Sequence, residues 1–329
     1  MSQPSILSSP AARRGGSGGG PAPDPPPAGR LVELARDLEV PLTLQAPLAP
    51  LTWLGIGGAT PFLFKPRSAA SIPPLLAGLA AAGMTPRWLG AGSNLLIDDR
   101  GIDDPVICTS ELRAEPRLEA DGSVRALGGV ALPGFARWLA GRGLAGLEFA
   151  EGIPGSVGGS VAMNAGAFGR DLGERTARVV LAHPGGRIEE HPVAEGDFAY
   201  RRSRFATTGA LVLEAVFKLE PGDPPELTRR LEEFRRHRRD TQPLSEQSAG
   251  CIFKNPAGGP SAGALIDSCG LKGLTHGAAA VSRLHANFVV NPGGAGFADV
   301  RALIDEVKAR VEGRTGVLLE EEIRVWSRG

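Results

Sequence analysis

The stretch that decides the fold runs Glu151-Gly-Ile-Pro-Gly-Ser-Val-Gly-Gly-Ser-Val-Ala-Met-Asn-Ala-Gly-Ala-Phe-Gly169. Glycines recur through an otherwise apolar segment, at Gly152, Gly155, Gly158, Gly159, Gly166 and Gly169. Missing side chains expose successive backbone N–H groups, and such groups can cup a phosphate. Ser156, Ser160 and Asn164 add neutral donors. A second run, Leu89-Gly-Ala-Gly-Ser-Asn-Leu-Leu-Ile97, follows the same logic, although alone it suits a plain hairpin turn equally well. Neither run is a GxGxxG opening a long helix, and no P-loop pattern occurs, so a nucleotide is compatible but a Rossmann or P-loop site is unsupported.

Outward from these runs the chain alternates short apolar strands and helices. Leu31, Leu34, Ala35 and Leu38 fall at helical spacing, and a second helix is expected over Ser71 to Ala82. Thr52 to Phe64 looks strand-like but is broken by Gly55, Gly57 and Gly58. Short strands are expected at Arg87–Leu89, Leu95–Ile97, Val106–Cys108 and Val124–Leu127, and Pro133 opens a helix that ends at Gly141 to Gly143. This alternation indicates an α+β or α/β domain. The pattern changes near Pro221, after which Glu226 to Asp240 forms a highly charged helix that reads as a connector. Val300, Leu303, Ile304, Val307 and Val311 make an apolar stripe on one long helix, and Glu322–Trp326 is the last strand. Residues 1–29 are rich in glycine and proline and cannot bury enough apolar surface to offset their ordering entropy, so a disordered tail is expected there.

Composition narrows the function. In 329 residues, Lys plus Arg is 36 and Asp plus Glu is 36, and this zero balance argues against a general nucleic-acid or membrane-surface binder. No apolar run approaches a membrane span. Cys108, Cys251 and Cys269 are spaced too widely for a zinc ribbon or CxxC pair, and the histidines are scattered, so no metal site is expected and the thiols read as reduced, in a cytoplasmic protein.

Eight motifs stand in an order that resembles the UDP-N-acetylenolpyruvoylglucosamine reductase (MurB) family: Gly90-Ala-Gly-Ser-Asn94, Gly152-Ile-Pro-Gly-Ser-Val-Gly-Gly159, Met163-Asn-Ala-Gly166, Tyr200-Arg-Arg-Ser203, Ala249-Gly-Cys-Ile-Phe-Lys-Asn-Pro256, Ala262-Gly-Ala-Leu-Ile-Asp267, Gly270-Leu-Lys-Gly273 and His285-Ala-Asn-Phe-Val-Val-Asn291. The resemblance spans Arg30 to Trp326. It implies an α+β fold: a two-part FAD-binding domain of the vanillyl-alcohol-oxidase (PCMH) type over 30–222, then a smaller α+β substrate-binding domain over 223–329. It further implies non-covalent FAD, reduced by NADPH, passing hydride to C3 of the enolpyruvyl group of UDP-N-acetyl-enolpyruvoylglucosamine to give UDP-N-acetylmuramate for peptidoglycan.

By the same resemblance, Gly90, Ala91, Gly92, Ser93, Asn94, Gly152, Ile153, Pro154, Gly155, Ser156, Gly159, Asn164, Ala165 and Gly166 hold the cofactor. Hydride addition builds negative charge on the C2 side, where a cation should stabilise it. The family pattern assigns this to Arg201 and Glu322; arginine can fork onto a carboxylate, which lysine cannot. Glu322 is one of three consecutive glutamates, so Glu320 and Glu321 are fallbacks. The proton donor to C2 is usually serine in this family, and here it is Cys251. A thiol is a better acid than a hydroxyl, so the role stays feasible and the thiol is expected to be open to alkylation; the plain alternative is a small buried hydrophobe. Tyr200, Lys254 and Asn255 are substrate-contact candidates, with a structural turn at Pro256 as the alternative reading for the last two. His285 reads equally well as a packed core residue. The run Arg235-Arg-His-Arg-Arg239 reads as a solvated helix face, with a grip on the substrate's phosphates as the lesser reading. Tyr200 is the single tyrosine, which matches the shorter class lacking a tyrosine-bearing lid loop. The competing functions are another flavin oxidase on the same FAD domain and a non-catalytic flavin or UDP-sugar sensor.

Overall fold

The computed structural model describes residues 27–328; the tail expectation for 1–29 lies almost wholly outside them. The first helix, α1 (Pro27–Asp37), buries Leu31 and Ala35 on one face and packs against α2 (Ile72–Ala81), whose Ile72, Leu75, Leu76 and Leu79 are fully buried. Both cover a four-stranded sheet ordered Leu42–Pro47, Ala59–Phe64, Val106–Cys108, Arg87–Leu89, in which the last three strands run parallel. The break expected within Thr52–Phe64 is real: the strand begins only at Ala59.

A second, wholly antiparallel sheet is ordered Ile188–Pro192, Thr176–Ala182, Leu211–Phe217, Val124–Leu127, Arg117–Leu118. Val180, Ala182, Leu211 and Leu213 on one face join the core beneath α1 and α2, while Val179, Leu181, Val212, Ala215 and Phe217 on the other join α3 (Leu132–Ala140) and α4 (Val157–Met163). The period-2 alternation of side chains lets one strand serve both cores. The two sheets, joined through the core that holds α1 and α2 and backed by α3 and α4, form the expected two-part FAD-binding domain, and the fold class read from the sequence is the one observed.

The charged helix α5 (Pro224–Thr241) is more than a connector. Its Leu227 and Leu231 are buried in the same core as α3 and α4. Packing therefore does not change at the boundary expected after residue 222; it changes beyond the end of α5. A third sheet follows, ordered Gln247–Cys251, Phe288–Asn291, Ala279–Val281, Thr275–His276, covered by α6 (Ala262–Ser268) and α7 (Phe297–Thr315). The stripe Val300, Leu303, Ile304, Val307, Val311 is buried here, as its spacing requires. Leu54, Ile56 and Leu96 of the first unit also enter this core, and Asn291 Nδ2 donates to the Leu54 carbonyl at 2.9 Å. The chain then returns: Arg324–Trp326 pairs in parallel with Leu95–Ile97. The two units are thus joined by a shared core and a shared strand pair.

Candidate active site

The Gly90–Asn94 turn is no hairpin, because its flanking strands belong to different sheets. Gly92 has φ +66°, and a Cβ there would lie 1.9 Å from the Leu51 carbonyl oxygen, so only glycine fits. The second run packs directly on the first: Ser93 Oγ donates to the Pro154 carbonyl at 2.8 Å, and a Cβ on Gly90 would come within 2.7 Å of Ser156 Oγ. Ser156 caps α4 by accepting from the Gly159 N–H. Asn94 ties this cradle to the chain's end, with its Nδ2 donating to the Glu322 carbonyl at 3.1 Å.

Between this cradle and the third sheet lies a cleft of about 870 Å³. Of the cofactor candidates, Gly90, Ala91, Gly92, Ser93, Asn94, Ile153, Pro154, Gly155, Ser156, Gly159, Ala165 and Gly166 line it, and Gly152 and Asn164 do not. Asn164 is buried and occupied. It ends α4 at φ +48°, accepts from the Gly173 N–H and donates to the Ala199 carbonyl at 2.9 Å. It is a clamp on the hairpin that carries Arg201. Gly152 instead leaves space for the Arg238 side chain, whose Cδ would lie 3.0 Å from an added Cβ.

Tyr200 and Arg201 form the two-residue turn between Phe198–Ala199 and Arg202–Ser203. Arg201 has φ +53°, uncommon for a residue with a side chain. Ser203 Oγ pins the hairpin to the Ala162 carbonyl at 2.6 Å. Arg201 Nη2 donates to the Gly166 carbonyl at 2.6 Å, and its Nε meets Glu322 Oε1 at 3.1 Å. The guanidinium lies 4.9 Å from the centre of the Tyr200 ring.

Backbone pairing turns Glu321 to one side and Glu320 and Glu322 to the other, and Lys254 then separates Glu320 from Glu322. Residues 320–322 run along 252–254: Lys254 N–H donates to the Glu320 carbonyl, and Glu322 N–H to the Ile252 carbonyl at 2.7 Å. The Glu321 carboxylate turns away to Arg301 and Lys308, at 2.7 and 2.9 Å. Glu320 takes Lys254 Nζ at 2.5 Å, which keeps Lys254 out of the cleft wall. Glu322 lines the cleft, and burial raises its pKa despite Arg201 and Lys254.

Cys251 lines the same cleft at the end of its strand, half-buried and one residue from Ile252, whose carbonyl takes the Glu322 N–H. Burial, then the charge of Glu322, pushes its thiol up to about 12, against the pull of Arg238, Arg201 and a hydrogen bond with Asn287. The thiol therefore keeps its proton at neutral pH, which suits an acid and points to slower alkylation than an open, ordinary thiol would show. Asn255 also lines the cleft; its Oδ1 accepts from Ala262 N–H at 3.0 Å and its own N–H meets Tyr200 Oη at 3.4 Å. His285 lines the cleft as well, with Nδ1 accepting from Asn287 N–H and burial lowering its pKa.

Two contributors were not singled out from the sequence. Asn287 holds the Phe253 backbone through both side-chain atoms, at 3.0 and 2.8 Å, and so fixes the strand end beside Cys251. Arg238, read as part of a solvated face, is buried and lines the cleft, whereas Arg235 pairs with Glu232 outside. The signal was present: Leu227, Leu231, Phe234 and Arg238 fall at helical spacing, so the arginine completes an apolar stripe.

The family model for an FAD binding domain matches residues 60–190, and that for the C-terminal domain of UDP-N-acetylenolpyruvoylglucosamine reductase matches residues 242–326. A reductase of that name from Heliobacterium modesticaldum is 42% identical over 90% of this chain and 94% of its own length. The chain belongs to the UDP-N-acetylenolpyruvoylglucosamine reductase family. Its relative from Erythrobacter litoralis is 40% identical over 86% of this chain. The crystal structure of the Thermus caldophilus enzyme of this family superposes with a TM-score of 0.73 at 36% identity, covering 87% of this chain and 98% of that one. The protein is a flavin-dependent oxidoreductase. Among the described residues no cluster of three or more His, Cys, Asp or Glu could hold a metal, and no helix is long and apolar enough to cross a membrane.

Proposed function

We propose that this chain reduces UDP-N-acetyl-enolpyruvoylglucosamine to UDP-N-acetylmuramate in the cytoplasm, with FAD as resident cofactor and NADPH as reductant, supplying a precursor of peptidoglycan. The observation that carries the reading is the convergence of the Arg201–Glu322 pair and Cys251 across one glycine-lined cleft. The cleft suits FAD: its floor is backbone, two glycine runs interlock where a Cβ would collide, and its volume is that of a large cofactor site. Gly90 to Asn94 and Gly155 to Gly159 would hold the pyrophosphate through backbone N–H groups. Bound FAD supplies the redox step, accepting hydride from NADPH and delivering it to C3 of the enolpyruvyl group.

The protein's own residues manage charge and the proton. Arg201, held by Gly166 and Glu322, faces the C2 side with a fixed fork, stabilising the enolate-like charge as it develops. Cys251 keeps its proton until C2 becomes basic, then donates it; the resulting thiolate is reprotonated from solvent. Tyr200 and Asn255 contact substrate at the mouth, and Lys254 contributes through its field rather than by contact. NADPH oxidation by the purified holoprotein should depend on the enolpyruvyl sugar nucleotide. Oxidation driven by dioxygen and a simple sugar instead, or none at all, would defeat the reading and favour an oxidase or a sensor.

A further inference from the structure

Among the arginines lining the cleft, Arg238 is the one that is buried without a carboxylate partner. Arg201 has Glu322 at 3.1 Å, and Arg87 has Asp104 at 2.6 Å. Arg238 is 9% exposed, its Nε is buried without a hydrogen-bond partner, and no described carboxylate forms an ion pair with it. Burying a guanidinium without an anion is strongly unfavourable. The nearest carboxylate whose charge it feels, Glu151, is already held by Arg137 through both oxygens, at 2.7 and 2.9 Å. The fold nevertheless makes room for this side chain, since Gly152 at φ +75° omits the Cβ that would press on its Cδ. Four residues further on, the Oε1 of Gln242 is also buried without a partner and lines the same cleft. The unpaired guanidinium marks this wall for a ligand that brings negative charge, and the Gln242 oxygen, an acceptor, calls for a donor on the same ligand.

Position selects which charge. Arg238 lines the cleft together with Cys251 and His285, packs against Gly152 beside the second glycine run, and its charge bears on both Cys251 and His285, which sets it toward the reacting end. The substrate of the proposed reaction carries two phosphates and one carboxylate, and only the carboxylate is bonded to C2, the carbon Cys251 is proposed to protonate. Arg201 is already paired with Glu322 and with the Gly166 carbonyl, so a full carboxylate requires a cation of its own. We propose that Arg238 binds the carboxylate of the enolpyruvyl substrate and of its product, and thereby orients C2 toward Cys251. This rests on the reading of the reaction given above.

The test uses oxidised FAD holoenzyme and two nucleotides, UDP-N-acetylmuramate, which carries the carboxylate, and UDP-N-acetylglucosamine, which does not. Binding is followed by perturbation of the flavin spectrum or by calorimetry. Arg238→Met should weaken UDP-N-acetylmuramate by about 10–100-fold, the scale of a charged hydrogen-bonded contact, and leave UDP-N-acetylglucosamine within about threefold. Arg238→Lys keeps charge and bulk but not the fork, and should show a smaller loss, still selective for the carboxylate; it carries the test if the methionine variant fails to fold. Equal weakening of both nucleotides would overturn the proposal in favour of a phosphate contact. Loss of FAD from Arg238→Lys would overturn it in favour of a cofactor contact, and unchanged affinity for both would overturn it outright. A wild type that binds both nucleotides but oxidises no NADPH with the enolpyruvyl substrate would defeat the proposed reaction, not this assignment.

Discussion

Replacing Cys251 by alanine and by serine tests the proposed proton donor. Burial and the Glu322 charge hold the thiol at about 12, so at pH 7 about one molecule in 10⁵ is ionised. The proton is therefore present in essentially every turnover. Removing a positioned general acid costs roughly 10²–10⁴-fold in rate. Cys251→Ala should lose that much in reoxidation of the reduced enzyme by the enolpyruvyl substrate, and nothing in flavin reduction by NADPH, which needs no proton at C2. Cys251→Ser should keep substantial activity, since a hydroxyl can occupy the same place. The same shift governs reactivity: at pH 8 an ordinary thiol is about a quarter ionised and Cys251 far less, so iodoacetamide should modify it much more slowly than a free cysteine. Stopped-flow traces of the two half-reactions and mass-spectrometric alkylation rates give the answer. Near-normal reoxidation in Cys251→Ala would refute the role and leave Glu322 or water as donor; alkylation at the free-thiol rate would refute the environment.

Arg201→Lys and Glu322→Gln should retain FAD and its reduction by NADPH while slowing substrate-driven reoxidation; damage confined to flavin reduction would show the roles to be misassigned. Glu321→Gln should spare catalysis and cost stability instead. Arg301 and Lys308 hold this carboxylate at about 2, down from 4.5, and after discounting for its partial exposure that is about 1–2 kcal/mol. Because the folded pKa is depressed, the stabilisation is full above about 4.5 and lost as pH falls through about 2; urea melts of both proteins should differ at pH 7 and converge toward pH 2. Gly92→Ala places a Cβ 1.9 Å from the Leu51 carbonyl at a φ of +66°, so the purified protein should show a strongly reduced flavin-to-protein absorbance ratio; full flavin occupancy would contradict the cradle.

Local signals in the sequence were read well where one element explains its own pattern. The α2 and α7 stripes are buried as their spacing demands, and the proline near the start of α3 marks its first turn. What the sequence hides is pairing across distance. Leu95–Ile97 and Arg324–Trp326 are each short apolar strands with no mark of their partnership, yet their parallel pairing brings the chain's end back to the first glycine run. For the same reason, that run resembles a hairpin turn until its two flanking strands are seen to leave for different sheets. The charge run of α5 misled differently. Its composition is that of a solvated helix, and composition averages over faces; only position by position does Arg238 separate from Arg235 and Arg239. Asn164 sits inside a glycine-rich motif but serves the backbone beneath it, a distinction that residue type does not encode.

A cysteine at the proposed donor position is intelligible from the charges that surround it. A group that must protonate only a strongly basic carbon should hold its proton against bulk water. A free thiol would hold it weakly, but burial beside Glu322 removes that weakness and brings the thiol toward hydroxyl behaviour. Glu322 can carry out this task without repelling an anionic substrate because Arg201, fixed by Gly166, balances it at 3.1 Å. The chain's return through Arg324–Trp326 sets the backbone of Glu322 against Asn94, and the Tyr200–Arg201 hairpin is pinned to α4 through Ser203 and Asn164. The proposed donor, the balanced pair and the glycine cradle thus come from five separate segments of the chain, around residues 90, 155, 201, 251 and 322, and the same long-range contacts that escape sequence reading are what hold their charges in register.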